Sequence, residues 1–600
     1  MEKLKKIKPL AWAGIGFGLV FLLLAVKLMV VMLHDAGEIR ALASSQLRNE
    51  SVLKARRGDI TDRNGNLLAS SIASFQLDAD LVSMRRAALG RTDITQLSKE
   101  DEATVLQYAN QWASQLSQFV DRDRESIFQI LTAKSAEGQF LSFGVLGREQ
   151  SIANLEPFRQ FRRENGLYWL VIADDTSRYY PNGSMLAHSL GILDGEKAGR
   201  FGVEAYYNDL LSGIDGLKIS EVDKQSQDIL LTEPVITQPV DGRRLVLTID
   251  EKIQSIAEEA ARQGLEDSKA KAVHVVVGDP RTGEILALVT APDFDLNDPY
   301  VSRDGDELLK RWRNRAISDV YEPGSTFKIV TMAAALSEGV VDEHDRFHCP
   351  GWIEVDGIRI HCAEKKSHGE QDYYDIIANS CNVGFIEIGL RVGREKMEVW
   401  TEKFGLGSTL GVDLPGEANG ITDFKSLDTD YDLANKVIGQ ATLTSSLQLM
   451  NDMNIIASGG VRTTPHILKE VQAPKGGSYE TVSVYEETDG EQVLDSEIAE
   501  TLKEMLFFTV EEGGSRRARI EGLDVMGKTG TAQKINPETG KYEFYVSSFV
   551  GSAPVNDPKI TVFVAVDEPT EGSTYGSQAA APLARQIMEA SIDYLNSPQN

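Results

Sequence analysis

The stretch that decides the fold is NRAISDVYEPGSTFKIVTMAAAL, residues 314–336, where a Pro-Gly pair gives way to a long apolar run. Pro323-Gly324 interrupts regular structure, and the residues after it place apolar side chains at helical spacing. The pattern predicts a buried helix with Ser325 in its first turn. Residues three apart share one face of a helix, so we expect Ser325 Oγ and Lys328 Nζ within hydrogen-bonding reach.

A serine beside a lysine is a possible nucleophile beside a possible base. The spacing is weak evidence by itself, because S-x-x-K also occurs at Ser51–Lys54 and Ser268–Lys271. Nothing in the sequence around those two copies recommends them. Other motifs of the chain decide whether the copy at Ser325 carries chemistry.

The length and charge of the chain limit the classes of protein to which it can belong. The 600 residues exceed what one compact core needs, so we expect two or more domains. A hydrophobic content of 42% and a charged content of 25% are ordinary for globular protein. The net charge of −28, without stripes of Lys and Arg, argues against nucleic acid as a partner.

The N-terminal segment predicts one membrane span. PLAWAGIGFGLVFLLLAV carries no charge, and the apolar run continues past Lys27 to Leu33. As a helix it can cross a hydrocarbon core of roughly 30 Å, with Lys27 reaching one interface. The lysine-rich residues 1–8 favour a cytoplasmic N-terminus. A cleaved signal peptide ending near residues 41–43 is the alternative, which the long apolar segment disfavours.

We therefore predict a single-pass protein of the cell membrane whose catalytic part lies outside the cytoplasm. The predicted segments are a cytoplasmic tail (1–8), a transmembrane helix (9–33), a juxtamembrane linker (34–54), a first exported domain (55–240) and a second exported domain (241–600).

Within the first exported domain, Asn64-Gly65 predicts a hairpin turn, and residues 95–135 have a helical pattern. The second domain opens with a strand and an amphipathic helix over 242–267, with Thr248 or Asp250 as the cap. Two strands around an Arg-Thr-Gly turn follow, and then a helix-rich middle. Three strand-like segments and a last helix close the chain, which is an α+β order with one sheet assembled from both ends.

Two further motifs lie beyond Ser325. Ser380-Cys381-Asn382 has the form S-x-N, and Lys528-Thr529-Gly530 lies on an apparent strand that continues to Thr531. The segment GLDVMGKT, residues 522–529, also fits the phosphate-loop pattern. A phosphate loop must open a helix, and nothing helical follows Lys528, so we reject that interpretation.

The order S-x-x-K, S-x-N, K-T-G resembles the penicillin-recognising acyl-serine enzymes. Longer segments resemble class B penicillin-binding proteins and together extend over nearly all of the chain after the apolar segment. They are RRGDITDRNG, GVEAYYNDLLSGIDG, LVLTIDEKIQ, TGEILALVTAPDFDLN, NRAISDVYEPGSTFK and GQATLTSSLQLMN. The sequence directly before and at Ser325, DVYEPGS (residues 319–325), resembles the division-type branch, FtsI or the related SpoVD, more than the elongation branch.

This resemblance implies an α+β penicillin-binding transpeptidase domain of the serine β-lactamase type, on an elongated N-terminal pedestal that the family calls a dimerisation domain. It implies a D,D-transpeptidase that cross-links peptidoglycan stem peptides through an acyl-serine intermediate and is a target of β-lactams. Division is the expected role. An elongation or sporulation role, a weakly catalytic scaffold or penicillin sensor, and a carboxypeptidase that transfers the acyl group to water remain as alternatives.

The family also implies the roles of the site residues. Ser325 attacks, a neutral Lys328 is the base, and Ser380, Asn382 and Lys528 complete the polar network, with Lys528 as a cation that disfavours a charged Lys328. The other implied roles are an oxyanion hole from the N–H groups of Ser325 and Thr531, binding of the substrate carboxylate by Lys528, Thr529 and Thr531, and close approach of the substrate at Gly530.

No cofactor or metal is expected in the acyl transfer. The expected partners are an amine acceptor on a second stem peptide, an FtsW-type glycosyltransferase and other membrane proteins of the division machinery. A class A β-lactamase would need E-x-x-L-N between the second and third motifs, which this sequence lacks.

The cysteines leave three states open. Cys349 and Cys362 flank a predicted hairpin that turns at Asp356-Gly357, and a continuous register would place Cys349 opposite Glu364. The two cysteines would then be diagonal neighbours, slightly too distant for a relaxed disulfide. Free thiols, a disulfide, and a zinc site that combines one or both of these cysteines with the nearby His348, His361 and His368 all remain open. Cys381 is interpreted as a packing residue.

Overall fold

The structure is a computed structural model that describes residues 9–33, 48–94, 96–221, 235–486, 490–536 and 538–597. The predicted tail 1–8 and linker residues 34–47 lie outside the described residues. The helices are α1 (Pro9–Leu33), α2 (Leu81–Leu89), α3 (Lys99–Leu116), α4 (Arg124–Leu131), α5 (Leu155–Glu164), α6 (Ala187–Leu190), α7 (Gly202–Tyr206), α8 (Asn208–Leu211), α9 (Glu251–Ser268), α10 (Gly305–Trp312), α11 (Arg315–Ser318), α12 (Lys328–Ser337), α13 (Tyr373–Ala378), α14 (Asn382–Val392), α15 (Arg394–Lys403), α16 (Asp430–Lys436), α17 (Ser446–Ala457), α18 (Ser496–Glu511), α19 (Gly576–Ala579) and α20 (Ala581–Asn596).

The strands range from two to fourteen residues. They are β1 (Arg48–Leu53), β2 (Ile60–Thr61), β3 (Leu67–Asp80), β4 (Phe143–Ser151), β5 (Leu170–Tyr179), β6 (Gly216–Glu221), β7 (Val235–Thr237), β8 (Arg244–Leu247), β9 (Ala272–Gly278), β10 (Ile285–Ala291), β11 (Val320–Tyr321), β12 (Phe347–Cys349), β13 (Trp352–Val355), β14 (Ile358–His361), β15 (Gly369–Gln371), β16 (Thr444–Ser445), β17 (Val461–Arg462), β18 (Leu468–Lys475), β19 (Ser478–Val484), β20 (Glu491–Gln492), β21 (Met526–Ile535), β22 (Tyr542–Ala553) and β23 (Ile560–Asp567).

One compact unit comprises Met1–Arg56 and Gly213–Asp241. It contains α1 and a three-stranded antiparallel sheet in the order β1-β6-β7. The predicted span 9–33 coincides with α1. Within the described residues, α1 is the one helix long and apolar enough to cross a membrane, from Trp12 to Val30, and its side chains there are exposed.

The second compact unit comprises Arg57–Ser212 and Gly242–Asn600. One of its sheets has the order β19-β18-β8-β2-β3-β4, with β5 also paired to β3. The predicted Asn64-Gly65 turn joins β2 to β3, with Gly65 at φ 87°. The helical pattern over 95–135 forms α3 and α4. Strands β18 and β19 join the sheet through β8, a pairing that the sequence did not predict.

A five-stranded antiparallel sheet in the order β10-β9-β23-β22-β21 confirms the sheet predicted from both ends of the second domain. Every residue of β9 and β23 is buried. Helices α9 and α20 contribute to the apolar cluster that covers one face of this sheet. Asp250, rather than Thr248, caps α9 by accepting from the N–H groups of Lys252 and Ile253.

The predicted helix-rich middle is interrupted by the strands β12 to β15. The hairpin turns at Asp356-Gly357 with Val355 opposite Ile358, as predicted. The continuous register was wrong, because Cys349 pairs with Gly369 in a separate ladder and not with Glu364. The break lies between Cys349 and Trp352, where Pro350 cannot donate to a ladder and Gly351 adopts φ 100°.

A buried ion-pair network lies in the second unit. The Glu204 carboxylate accepts from Arg57 Nε at 2.6 Å and from Arg178 Nε at 2.7 Å. All three side chains are almost fully buried. One carboxylate therefore compensates the positive charge of two buried guanidinium groups.

Replacement of Glu204 by Ala should destabilise the fold by about 3–5 kcal/mol, because it removes the carboxylate that compensates two buried cations. The thermal unfolding midpoint of the full chain in detergent measures the effect. Glu480→Ala is the matched control, since it breaks an exposed pair with Lys475 and should cost less than about 1 kcal/mol. Equal midpoints for the two variants would contradict the expected dependence on Glu204.

Candidate active site

Ser325 lies in a single 3-10 turn, Gly324–Thr326, directly before α12. The predicted helix is therefore present, but it begins at Lys328, and Ser325 precedes it. Phe327 joins the two segments in the right-handed helical conformation, so the turn runs on into the helix. Ser325 is half-buried, and Lys328 is fully buried.

The Ser325 turn is held by close backbone contacts. The N–H of Gly324, at φ 56°, donates to Gly439 O at 2.9 Å. A Cβ at Gly439 would lie only 2.0 Å from Gly324 O. A Cβ at Gly530 would lie 3.0 Å from Pro323 O and 2.5 Å from Ser548 Oγ. Glycine at position 530 thus permits β21 to pack against the turn. This explanation for the glycine differs from the predicted one, which was close approach of a substrate.

The buried ammonium of Lys328 is fully paired by the S-x-N motif. Lys328 Nζ donates to Ser380 O at 2.8 Å, Ser380 Oγ at 3.2 Å and Asn382 Oδ1 at 2.6 Å. The ring of Phe385 lies 5.3 Å from the same nitrogen. An ammonium has three hydrogens, so these three acceptors satisfy it.

Ser380 links the two lysines predicted for the site. Lys528 Nζ donates to Ser380 Oγ at 3.0 Å, so one hydroxyl accepts from both amines. Ser380 adopts a left-handed backbone conformation, with φ 51°. Such a conformation is strained for a residue with a Cβ and persists only when its surroundings enforce it.

Burial sets the protonation of these amines. It lowers the pKa of Lys328 to about 8, while the sulfurs of Cys362 and Cys381 act in the opposite direction. Burial also lowers the pKa of Lys528 well below its ordinary value, and the nearby Lys328 lowers it further. We expected the charge of Lys528 to lower the pKa of Lys328. Instead, the charge of Lys328 lowers the pKa of Lys528.

The expected hydrogen bond between Ser325 and Lys328 is absent from the described residues, since the ammonium donates to the three acceptors named above. A neutral amine would have a lone pair free to accept from a hydroxyl. Hydrogen bonds of catalytic groups often form only when substrate binds. The predicted contact therefore stays a prediction.

Strand β21 carries the third motif along the edge of the five-stranded sheet. The N–H of Thr529 donates to Ser515 Oγ at 3.2 Å, and Thr531 Oγ1 accepts from the N–H of Gly576 at 3.0 Å. The segment continues as a strand to Ile535, which agrees with the rejection of a phosphate loop.

Cys381 does more than fill space. It is fully buried, as predicted, and it is also the N-cap of α14, where its sulfur accepts from the N–H of Gly384. The neighbouring Asn382 is fixed from both ends of its amide, because Nδ2 donates to His361 O at 3.2 Å. The S-x-N motif is therefore anchored on each of its three residues.

Sequence reasoning missed several residues that shape the site. Gly439 and Gly576 are identified only by their close backbone contacts, and Ser515 only by its bond to Thr529. Gly439 lies in a segment that carries the family resemblance, which was the one signal available for it. Ser515 and Gly576 belong to no pattern in the sequence.

The arrangement combines a half-buried hydroxyl, two buried amines with lowered pKa values and a bridging serine hydroxyl. Such a set can activate a hydroxyl nucleophile and return a proton to a leaving group. It fits acyl transfer through a covalent intermediate.

Comparisons with known proteins agree with this chemistry. Residues 273–589 match the family model described as the penicillin-binding protein transpeptidase domain. Residues 52–247 match that of the penicillin-binding protein dimerisation domain.

Stage V sporulation protein D of Bacillus subtilis is 32% identical over 584 residues, which cover 96% of this chain and 84% of that protein. The probable peptidoglycan D,D-transpeptidase PenA of Neisseria gonorrhoeae is 30% identical, with 90% of this chain and 85% of that protein covered. The crystal structure of penicillin-binding protein 3 from Mycobacterium tuberculosis, complexed with aztreonam, has a TM-score of 0.65 at 26% identity, and the match covers 92% of this chain and 98% of that one.

Gly439→Ala should displace the Ser325 turn and destabilise the fold by roughly 1–3 kcal/mol beyond backbone strain, because the new Cβ would overlap Gly324 O. Thermal unfolding of the full chain measures this. Gly416→Ala is the matched control, since Gly416 also has a positive φ, of 88°, but its Cβ would meet no atom within 4 Å. An equal loss in both variants would show that the contact with Gly324 is unimportant.

Proposed function

The chain belongs to the class B penicillin-binding proteins, and from that membership we propose that it is a peptidoglycan D,D-transpeptidase that cross-links stem peptides through an acyl-serine intermediate. The observation that carries the proposal is that two buried lysines share the hydroxyl of Ser380, and one of them, Lys328, follows Ser325 by three residues. The same site accounts for acylation by β-lactams, whose strained amide resembles the D-Ala-D-Ala peptide bond.

In the proposed reaction Ser325 Oγ attacks the carbonyl carbon of the penultimate D-alanine. A neutral Lys328 takes the hydroxyl proton, and the lowered pKa of Lys328 supports this role. The C–N bond to the last D-alanine breaks, and Ser380 relays a proton to the leaving amine. An amine of a second stem peptide then attacks the ester and releases Ser325.

The edge of β21 supports the proposed binding of the donor peptide. The N–H of Thr529 donates to Ser515 and not to β22, so Thr529 faces the free edge of the sheet. Backbone groups alternate between the two sides of a strand, so Thr531 faces the same edge. Its N–H is then available, with that of Ser325, to stabilise the oxyanion. Lys528, Thr529 and Thr531 bind the terminal carboxylate, and Asn382 binds the peptide.

The proposal also includes a biological role for the enzyme, in division, sporulation or elongation. We assign the chain to septal cell-wall synthesis because its sequence around Ser325 resembles that of the division-type branch. The relative from B. subtilis is named for sporulation, so sporulation is the main competing role, and elongation is the other. Growth and microscopy of a deletion strain during division and during sporulation would separate the three roles.

The topology follows from the apolar helix and the basic N-terminus. We propose that residues 9–33 anchor the chain in the cell membrane with the N-terminus in the cytoplasm, and that a pedestal domain (55–240) and a transpeptidase domain (241–600) lie outside. The partners would be an FtsW-type glycosyltransferase and other division proteins of the membrane. Co-purification with and without residues 1–33 tests whether the span is needed for those contacts.

Mass spectrometry after incubation with penicillin tests the nucleophile. The full chain should gain one penicilloyl group per molecule on the peptide containing Ser325, and Ser325→Ala should gain none. Ser268→Ala is the matched control, because it removes the serine of another S-x-x-K copy and should leave the adduct unchanged. An adduct on Ser325→Ala would overturn the assignment, and no adduct on the wild type would favour an inactive scaffold.

The rate of acylation should depend on pH through Lys328. Its pKa of about 8 means that the amine is mostly charged at low pH and mostly neutral at high pH. The second-order rate with a fluorescent penicillin should therefore rise about 10-fold per pH unit below the pKa and become constant above it. Above the pKa, Lys328→Arg should be slower by roughly 10²–10⁴, and its rate should lack the rise with pH, because a guanidinium stays charged. A wild-type rate that does not change with pH would contradict the role of Lys328.

Transfer and hydrolysis are separated by the acceptor. With a D-Ala-D-Ala stem peptide and an acceptor amine, the wild type should form the cross-linked peptide as well as free D-alanine, detected by chromatography and mass spectrometry. Ser325→Ala should form neither product. Release of D-alanine without cross-links at any acceptor concentration would identify a carboxypeptidase.

A further inference from the structure

A group of four metal-binding side chains lies directly behind the S-x-N motif. Within the described residues, the ligand atoms of Cys349, Cys362, His368 and Cys381 all lie within 4.8 Å of one another. The three cysteines are buried and His368 is half-buried. They come from the end of β12, the residue after β14, the loop before β15 and the N-cap of α14.

The distances fit a tetrahedral zinc ion. Cys362 Sγ lies 3.7 Å from Cys381 Sγ and 3.5 Å from His368 Nδ1. Bond lengths of about 2.3 Å to sulfur and about 2.0–2.1 Å to nitrogen place neighbouring ligands of a tetrahedral site roughly 3.8 Å (S to S) and 3.6 Å (S to N) apart. A disulfide has sulfur atoms about 2.05 Å apart. The three cysteines are free in the structure, and the distance between the sulfurs of Cys362 and Cys381 is that of two ligands and not of a disulfide.

We propose that Cys349, Cys362, His368 and Cys381 bind one Zn²⁺ in a closed Cys₃His site. Three thiolates and one imidazole are soft and borderline ligands that suit zinc and do not suit Mg²⁺, Ca²⁺ or Mn²⁺. Four protein ligands leave no open position, which is typical of a structural site. Binding releases the thiol protons to solvent.

The surroundings of the sulfurs match this assignment. The N–H of Gly384 donates to Cys381 Sγ, and the N–H groups of Asn382 and Val383 interact with the sulfur of Cys362. Backbone donors of this kind stabilise metal-bound thiolates and orient them. The N-terminus of α14 supplies all three of them, and a helix N-terminus favours negative charge.

The structure distinguishes His368 from the other two candidate histidines. His348 is exposed and pairs with Glu370 through Nδ1 at 2.7 Å. His361 is exposed and belongs to no metal-binding group within the described residues. The pairing of Cys349 with Gly369 brings His368 back to Cys349, whose carbonyl accepts from the His368 N–H at 3.2 Å.

The site has a consequence that rests on the proposed function. Cys381 is the middle residue of the S-x-N motif, so a metal on its sulfur fixes the two neighbours that accept hydrogen bonds from Lys328. It also helps to hold Ser380 in its strained conformation. The zinc is thus a positioning element for the polar network and takes no part in the acyl transfer.

Metal content is the first test. Full chain purified in detergent with a phosphine reductant should contain one zinc per molecule by plasma mass spectrometry. Replacement by Co²⁺ should give thiolate-to-cobalt charge transfer and the strong visible bands of a tetrahedral site. His368→Ala should bind zinc more weakly by more than the roughly 10- to 100-fold that loss of an outer-shell partner costs. His361→Ala is the matched control and should keep the full stoichiometry and the wild-type cobalt spectrum.

The wild-type readouts remain decisive if a ligand variant fails to fold. Absence of zinc together with absence of a tetrahedral cobalt spectrum would overturn the proposal. So would a disulfide, seen when protein purified without reductant is unfolded with a chelator present and alkylation then modifies one cysteine instead of three. Alkylation of all three cysteines in metal-free protein, with none protected after Zn²⁺ is added, would also overturn it.

The consequence for acylation is tested separately. Removal of zinc under reducing conditions should slow the reaction with fluorescent penicillin by about 10-fold, and Zn²⁺ but not Mg²⁺ should restore it. An unchanged rate would overturn the positioning role. Ser325→Ala should keep its zinc and lose the penicillin adduct, so failure of the proposed enzyme activity and failure of the metal site give different results.

Discussion

The buried charge of Lys328 is the constraint on which the site depends. An ammonium with no exposure to water is tolerated only when each of its hydrogens has an acceptor. The carbonyl and hydroxyl of Ser380 and the amide of Asn382 supply three, and they come from a segment far along the chain. The S-x-x-K and S-x-N motifs are therefore two halves of one charge-compensated unit, and neither is stable in this conformation without the other.

Close packing of backbones adds a second constraint. The Ser325 turn lies against Gly439 on one side and β21 on the other, and a Cβ at Gly439 or Gly530 would overlap the turn. Gly576 extends the same arrangement, because its Cβ would lie 2.1 Å from Gly530 O. The position of Ser325 is thus set mainly by backbone contacts.

Local patterns in the sequence predicted the elements well. Apolar runs indicated β9 and β23, the Asn64-Gly65 pair indicated a hairpin, and the spacing of the apolar residues indicated α9 and α20. Three motifs gave Ser325, Lys328, Ser380, Asn382 and Lys528 as candidates, and the structure brings the last four into one hydrogen-bonded network.

Features that depend on contacts between distant segments could not be predicted in the same way. Ser515 acts on Thr529 through a single hydrogen bond, and β18 pairs with β8 from more than half the transpeptidase sequence away. The register near Cys349 failed for a local reason, since the Pro350-Gly351 break ends one ladder and starts another. Turns can be predicted from the local sequence, but the partner of each strand depends on packing between distant segments.

The position of β21 at the edge of its sheet connects these constraints to chemistry. An unpaired strand edge is normally a hazard, because it can pair with another chain. Here the hydroxyl of Ser515 covers the N–H of Thr529, and the Ser325 turn covers the stretch around Gly530. The edge is therefore closed to a long strand but retains backbone groups beside Ser325. In the proposed binding mode a short extended donor peptide uses these groups, while the turn stands in the way of a long strand from another copy of the protein. The same arrangement thus protects the edge of the sheet and supports a short peptide as the proposed substrate.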